Sequence, residues 1–99
     1  MAKPAVAELQ HEDEAVRVTL WRFAPSTETG WHVHEYDYVV VPVQGGTLTV
    51  ESHAGGRAAY PIRTAVSYAR PKGTEHNIIN DTDAEIAFVE IELKASAAR

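Results

Sequence analysis

The chain has 99 residues, 44% of them apolar, a formal net charge of −5 and no cysteine. This suits one domain with a modest core and excludes a disulfide scaffold, thiolate metal ligands and a cysteine nucleophile. Lys and Arg are scattered rather than striped, no apolar run approaches the roughly 20 residues of a membrane span, and the N-terminus lacks the apolar stretch of a signal peptide, so the expectation is a cytoplasmic protein that binds neither nucleic acid nor membrane.

Residues 1–14 place Glu8, Glu12, Asp13 and Glu14 around His11 and read as a flexible, solvated lead-in with at most a short edge strand. Residues 16–23 are β-branched and aromatic, which predicts a strand. Val16, Val18 and Leu20 share one face of it and Trp21 and Phe23 the other, so it should be central, with Arg22 either paired with a buried carboxylate or reaching out to water. Pro25, Ser26 and Gly30 mark a turn, followed by the segment Gly30-Trp31-His32-Val33-His34-Glu35-Tyr36-Asp37-Tyr38.

The next apolar run, residues 38–43, contains Pro42, which suggests an edge strand or a bulge. Gln44-Gly45-Gly46 reads as a hairpin turn, with 47–51 as its return strand. His53-Ala54-Gly55-Gly56 is a further turn with an exposed His53, and short strands are expected at 58–62, 65–69 and 76–80. Residues 85–93 form the last strand, with Val89, Ile91 and Leu93 on one face; Glu90 and Glu92, on the other, read as an outward face or as partners for Arg22. An Ala-rich tail from Lys94 to Arg99 is expected to fray. No segment reads as a helix, so the fold class is all-β, a small barrel or sandwich.

Three of the five histidines lie in two segments, the first around His32 and His34, the second Pro71-Lys72-Gly73-Thr74-Glu75-His76-Asn77-Ile78-Ile79-Asn80. In a strand, His32 and His34 point to one face, and a third imidazole from a distant segment completes a set able to hold a transition metal.

These two segments resemble the two motifs of the cupin superfamily. His32-Val33-His34 and the later Gly45 match the first motif, and Pro71-x-Gly73-x-x-His76-x-x-x-Asn80 matches the second, with Ala65 where its opening glycine belongs. The resemblance covers residues 16–93 and implies a single domain over 1–99 with the double-stranded β-helix, or jelly-roll, barrel. Within the superfamily the chain is similar to small single-domain cupins associated with beta-alanine degradation, through the run from Trp31 to Pro42 and the ending Phe88-Val89-Glu90-Ile91-Glu92-Leu93-Lys94. The family's metal-binding glutamate should fall at position 38, where this chain has Tyr38, and strand parity sends Glu35 and Asp37 away from His34. The implied ligands are therefore His32, His34 and His76 alone.

Three neutral imidazoles leave the charge of a divalent ion uncompensated and its sphere open, which favours a small anionic partner and a catalytic site. Imidazole suits Fe, Zn, Ni and Cu alike. The resemblance to three-histidine cupin dioxygenases makes iron and oxygen-dependent oxidation the leading expectation, with a non-redox isomerase or lyase, or a ligand binder without turnover, as alternatives. Tyr38 is the candidate catalytic residue: its phenol could donate a hydrogen bond to substrate or dioxygen, move a proton, or simply pack in the core. Arg70 is either a carboxylate-recognising group or a solvated side chain, Asn80 and Gly73 read as structural turn residues, and a homodimer is expected by resemblance.

Overall fold

The computed structural model describes residues 3–53 and 55–98, for Ala98 the backbone only; the lead-in's Met1 and Ala2, the turn's Ala54 and the tail's Arg99 lie outside the described residues. Among the described residues the strands are β1 (Lys3–Pro4), β2 (Val6–Glu12), β3 (Val16–Phe23), β4 (Thr27–Glu28), β5 (His32–Val33), β6 (Asp37–Gln44), β7 (Gly46–Glu51), β8 (Arg57–Ile62), β9 (Tyr68–Arg70), β10 (Glu75–Asn80) and β11 (Ile86–Leu93), and the only helical element is a 3₁₀ segment, Lys94–Ala98.

They form two sheets. One has the order β1-β4-β10-β7-β8, with β5 also on β10; the other is β2-β3-β11-β6-β9. The core lies between them. Directly paired residues share a face, so the register of β3, β11 and β6 sends Phe23, Trp21, Ile86, Phe88, Val40 and Tyr38 inward together. Phe23, Phe88, Leu48 and Ile86 are essentially inaccessible to water, and the Phe23 and Phe88 rings meet at 5.5 Å. Truncating either ring to alanine should cost about 3–5 kcal/mol.

The chain order explains why the core closes. β6 pairs with β11 and β9 in one sheet, and β7 pairs with β10 and β8 in the other. Gln44-Gly45-Gly46 is thus a corner between sheets and not the expected hairpin turn. A Cβ at Gly45 would lie 2.6 Å from the Ile62 carbonyl oxygen and 2.9 Å from the Thr64 nitrogen. Glycine is required there because the loop after β8 crosses against the corner. Of the two readings of Pro42, the bulge is the one observed: the β6–β11 register shifts beside it, and β6 has neighbours on both sides.

The N-terminal segment also differs from its expectation. Residues 6–12 form a seven-residue strand on the edge of the five-stranded sheet, although every side chain in it is exposed. Backbone pairing with β3, rather than apolar burial, holds it in place. The tail is docked rather than frayed: the buried Ser96 hydroxyl accepts from the Asp37 N–H at 2.7 Å, and its carbonyl accepts from Lys72 Nζ at 2.7 Å. The strand expected at 65–69 shrinks to β9, because Ala65 turns the chain with a φ of 68°.

Candidate metal centre and interior cavity

His32 and His76 face each other across the β5–β10 pair. His34 lies beyond the end of β5 and is held by backbone instead. Its N–H donates to the Thr74 carbonyl at 2.9 Å, and its carbonyl accepts from the Gly73 N–H at 2.8 Å. Gly73 has a φ of +87°, a conformation open to glycine at little cost, and this is what lets the second segment clasp the first. Asn80 is fully buried, donating to the Phe23 and Ala84 carbonyls and accepting from Thr82, so it closes the turn before β11.

The three imidazoles converge. His34 Nε2 lies 3.0 Å from His32 Nε2 and 3.2 Å from His76 Nε2. Nitrogens bound to one ion at 2.0–2.1 Å, with angles between a right angle and tetrahedral, would be about 2.9–3.4 Å apart. The observed spacing therefore fits a shared ion. His32 Nδ1 sits 2.9 Å from the Gly30 carbonyl oxygen, to which it can donate, leaving Nε2 free as a ligand. Behind it, Asn77 accepts from the Gly30 N–H and donates to Glu51, both at 2.9 Å, which steadies the loop.

Burial, followed by the neighbouring imidazoles, pushes His34 down to about 3, and burial followed by His32 and Arg70 pushes His76 down to about 4. Both rings are neutral at neutral pH, the form that binds a metal. Among the described residues these three histidines, and no carboxylate, form the cluster able to hold an ion.

The absence of a carboxylate was expected from strand parity, but the physical reason is different. The strand is interrupted after Val33, so parity cannot be counted across 34–36. Glu35 is exposed there. Tyr36 lies under the Arg17 guanidinium at 5.7 Å. Asp37 turns outward and accepts from the Lys72 N–H at 2.8 Å.

Tyr38 is buried, with its ring stacked on His34 at 3.9 Å and 19°. Burial, then the charge of Glu90, pushes its phenol up to about 12. It is therefore a neutral hydrogen-bond donor in this setting rather than a base.

A partly open cavity of about 50 Å³ lies between the sheets beside His76. Its polar groups are Tyr38, Tyr60, Tyr68, Arg70, His76 and Glu90; the remaining walls are aliphatic or aromatic. A wider cleft of about 450 Å³ on the other side holds His32, His34 and, again, Glu90. Glu90 thus borders both spaces.

Glu90 corrects the sequence reading, which placed it outward or on Arg22. It is 8% exposed and faces the interior, opposite Val40. Its neighbour Glu92 pairs with Arg17 at 3.5 Å, and Arg22 is exposed. Burial, then the charge of Glu92, raises the Glu90 carboxyl to about 7. The available signal was its parity with Phe88, but the apolar run Val89, Ile91 and Leu93 on the opposite face was the stronger hydrophobic cue. The remaining histidines lie apart from the cluster: His11 pairs with Asp13, and exposed His53 stacks on exposed Trp31 and pairs with Glu75.

Comparison with known proteins bears on the same segments. Residues 19–92 match the family model described as Cupin domain. The chain belongs to the cupin family. It is 49% identical over 90 residues to the beta-alanine degradation protein BauB of Pseudomonas aeruginosa, covering 91% of this chain and 94% of that protein. A crystal structure of a cupin domain from Bordetella pertussis superposes with a TM-score of 0.91 at 48% identity, over 95% of this chain and 97% of the other. A protein with a double-stranded beta-helix domain from Klebsiella pneumoniae, 17% identical, superposes with a TM-score of 0.76 over 95% of this chain and 80% of its own, a likeness of fold alone.

This cupin keeps the backbone of its second motif even where the residue departs from the pattern. Ala65, at the position of the opening glycine, holds a left-handed φ of 68°, and its N–H donates to the Pro42 carbonyl at 3.0 Å. The alanine therefore retains the turn at some conformational cost.

Proposed function

We propose that this cupin is a metal-dependent enzyme that oxidises a small anionic molecule with dioxygen, the ion being held by His32, His34 and His76, with iron as the leading candidate. The supporting observation is the meeting of three imidazole nitrogens, unaccompanied by a carboxylate, between an open cleft and an interior cavity. An ion bound there supplies Lewis acidity and, if it is iron, redox capacity, with open positions for substrate. The chain's own residues supply the remainder. His32 is oriented by the Gly30 carbonyl, His34 by the clasp to Gly73 and Thr74. Tyr38, protonated and stacked on His34, is placed to donate a hydrogen bond to a substrate oxygen.

Similarity to a protein named for beta-alanine degradation fits a role in small-molecule breakdown, and no helix among the described residues is long and apolar enough to cross a membrane, in keeping with the cytoplasmic setting we propose.

The same Tyr38 and the carboxyl of Glu90 favour one second reading, a non-redox isomerase or lyase in which these groups hold or move a proton. One experiment separates the two. The protein is reconstituted with Fe(II) under argon, candidate oxo acids, diketones, thiols and amino carboxylates are added, and air is then admitted. Substrate-dependent oxygen uptake is expected. Product formed before air enters establishes the non-redox reading, and absence of both rejects catalysis on these substrates.

We also propose a homodimer formed through the outer face of the five-stranded sheet. Val16, Val18, Val89, Ile91, Val39 and Val41 lie together there by register, all partly accessible. Light scattering coupled to gel filtration should give twice the chain mass, and a charged residue at Val89 should shift it to one.

A further inference from the structure

The interior cavity is bordered by a guanidinium and a carboxyl group that no ion pair joins. Arg70 enters from β9, where it is paired with Tyr38 of β6; Glu90 enters from β11, where it is paired with Val40 of the same strand. The two charged residues therefore flank β6 from opposite sides. Their backbones are separated by two strand spacings, about 9.5 Å, and offset by two residues, about 7 Å. Both side chains line the same space.

Neither has a charged partner among the described residues. Arg70 reaches only the Tyr60 hydroxyl, at 3.5 Å, and lies 5.7 Å over that ring. Glu90, 8% exposed, has no cation or hydrogen-bond donor upon it, and the nearby Arg17 is taken by Glu92 and Glu12. A carboxyl largely shielded from water and a half-buried guanidinium, neither paired with an opposite charge, border one cavity and can be satisfied together by a ligand carrying both complements.

From this geometry we infer that the cavity recognises a small amino carboxylate, its carboxylate on the Arg70 guanidinium and its ammonium on Glu90. The orientation follows from the surroundings. Arg70 shares its stretch of cavity wall with Tyr38, Tyr60 and Tyr68, and its guanidinium matches a carboxylate in charge and geometry. Glu90 stands at the border with the open cleft and receives the cationic end.

Size sets the remaining limit. The 50 Å³ of room corresponds to a few water-sized groups, or a molecule of about five or six non-hydrogen atoms once water is displaced. Tyr60 and Tyr68, packed edge to face at 5.6 Å, wall the cavity beside Arg70. This assignment narrows the carboxylate-bearing substrate of the proposed reaction to a zwitterion and rests on that reading for its catalytic meaning, but recognition itself requires no turnover.

The test is calorimetric titration of the full-length protein, metal-free and loaded with Zn(II), using β-alanine, propionate and propylamine as probes. β-Alanine should bind at least about tenfold more tightly than either singly charged probe. Arg70→Met and Glu90→Gln should each remove that advantage, with circular dichroism and melting curves confirming that both variants fold. Glu90→Gln should bring β-alanine to the level of propionate. Equal affinity for propionate and β-alanine, undiminished binding in folded Glu90→Gln, or no saturable binding of β-alanine would each overturn the inference. The oxygenase reading fails separately: selective β-alanine binding without oxygen uptake refutes the reaction and leaves the recognition standing, whereas oxygen uptake with a substrate lacking an ammonium, indifferent to Glu90, does the reverse.

Discussion

The two sheets of this cupin contribute different chemistry to one interior. The six-stranded sheet supplies the side able to hold a metal: His32 and His76 face each other on β5 and β10, with His34 tied to the turn before β10. The five-stranded sheet supplies the groups that would meet a substrate, Tyr38 on β6, Arg70 on β9 and Glu90 on β11. The imidazoles are set by short backbone bonds within a few residues of a glycine turn. The substrate-side groups are set by the register of long strands that also carry the core. Metal binding and substrate handling should therefore be separable by mutation, and the largest predicted effect tests this directly. His34→Ala should lose stoichiometric metal, measured by elemental analysis, while the fold survives, because its ring lies at the end of the core rather than within the Phe23–Phe88 packing. Full metal occupancy in that variant would remove the division of labour between the sheets.

The next effect belongs to Glu90. Its folded-state value of about 7 lies above the ordinary 4.5. A raised carboxyl favours folding below the unfolded value, and that contribution is lost as pH rises through the folded one. In chelator-treated protein, wild-type stability should fall relative to Glu90→Gln between pH 5 and pH 9, by about 3 kcal/mol at most. Parallel denaturation curves for the two proteins across that range would show that the carboxylate is well solvated. Metal content should be unchanged in Glu90→Gln, and a loss there would blur the comparison of sheets.

Tyr38→Phe is intermediate. Metal should stay, since the phenol is not a ligand. Turnover should fall by about tenfold or more if the hydroxyl donates to substrate, a loss of roughly 1.4 kcal/mol or more of transition-state stabilisation. Unchanged kcat would make the ring a packing residue for His34. The smallest effect is structural. Ala65→Gly should raise stability by about 0.5–1 kcal/mol, because glycine adopts the left-handed φ without a Cβ clash. A lower melting temperature would mean that the turn tolerates alanine without strain.

Much of this was legible in the sequence alone. The β3, β10 and β11 segments are visible at their observed places to within a residue or so, and three histidines in two motif-like segments mark the cluster that the fold brings together. Two kinds of feature were not legible. Connectivity was one: Gln44-Gly45-Gly46 has the composition of a hairpin turn, and only the crossing of residues 62–64 against Gly45 shows that the chain changes sheets there. Facing was the other. In β11 both alternations carry large apolar groups, so Val89, Ile91 and Leu93 outweighed Phe88 and hid the inward Glu90.

By itself, then, the sequence determined an all-β chain and the residues able to take a metal, because strand propensity and ligand chemistry are properties of single side chains and their local spacing. Tertiary structure alone decided that Glu90 and Arg70 share a cavity with the imidazoles. That depends on which face of each strand is covered, and a face becomes covered only when a second sheet, brought round by distant segments, closes over it.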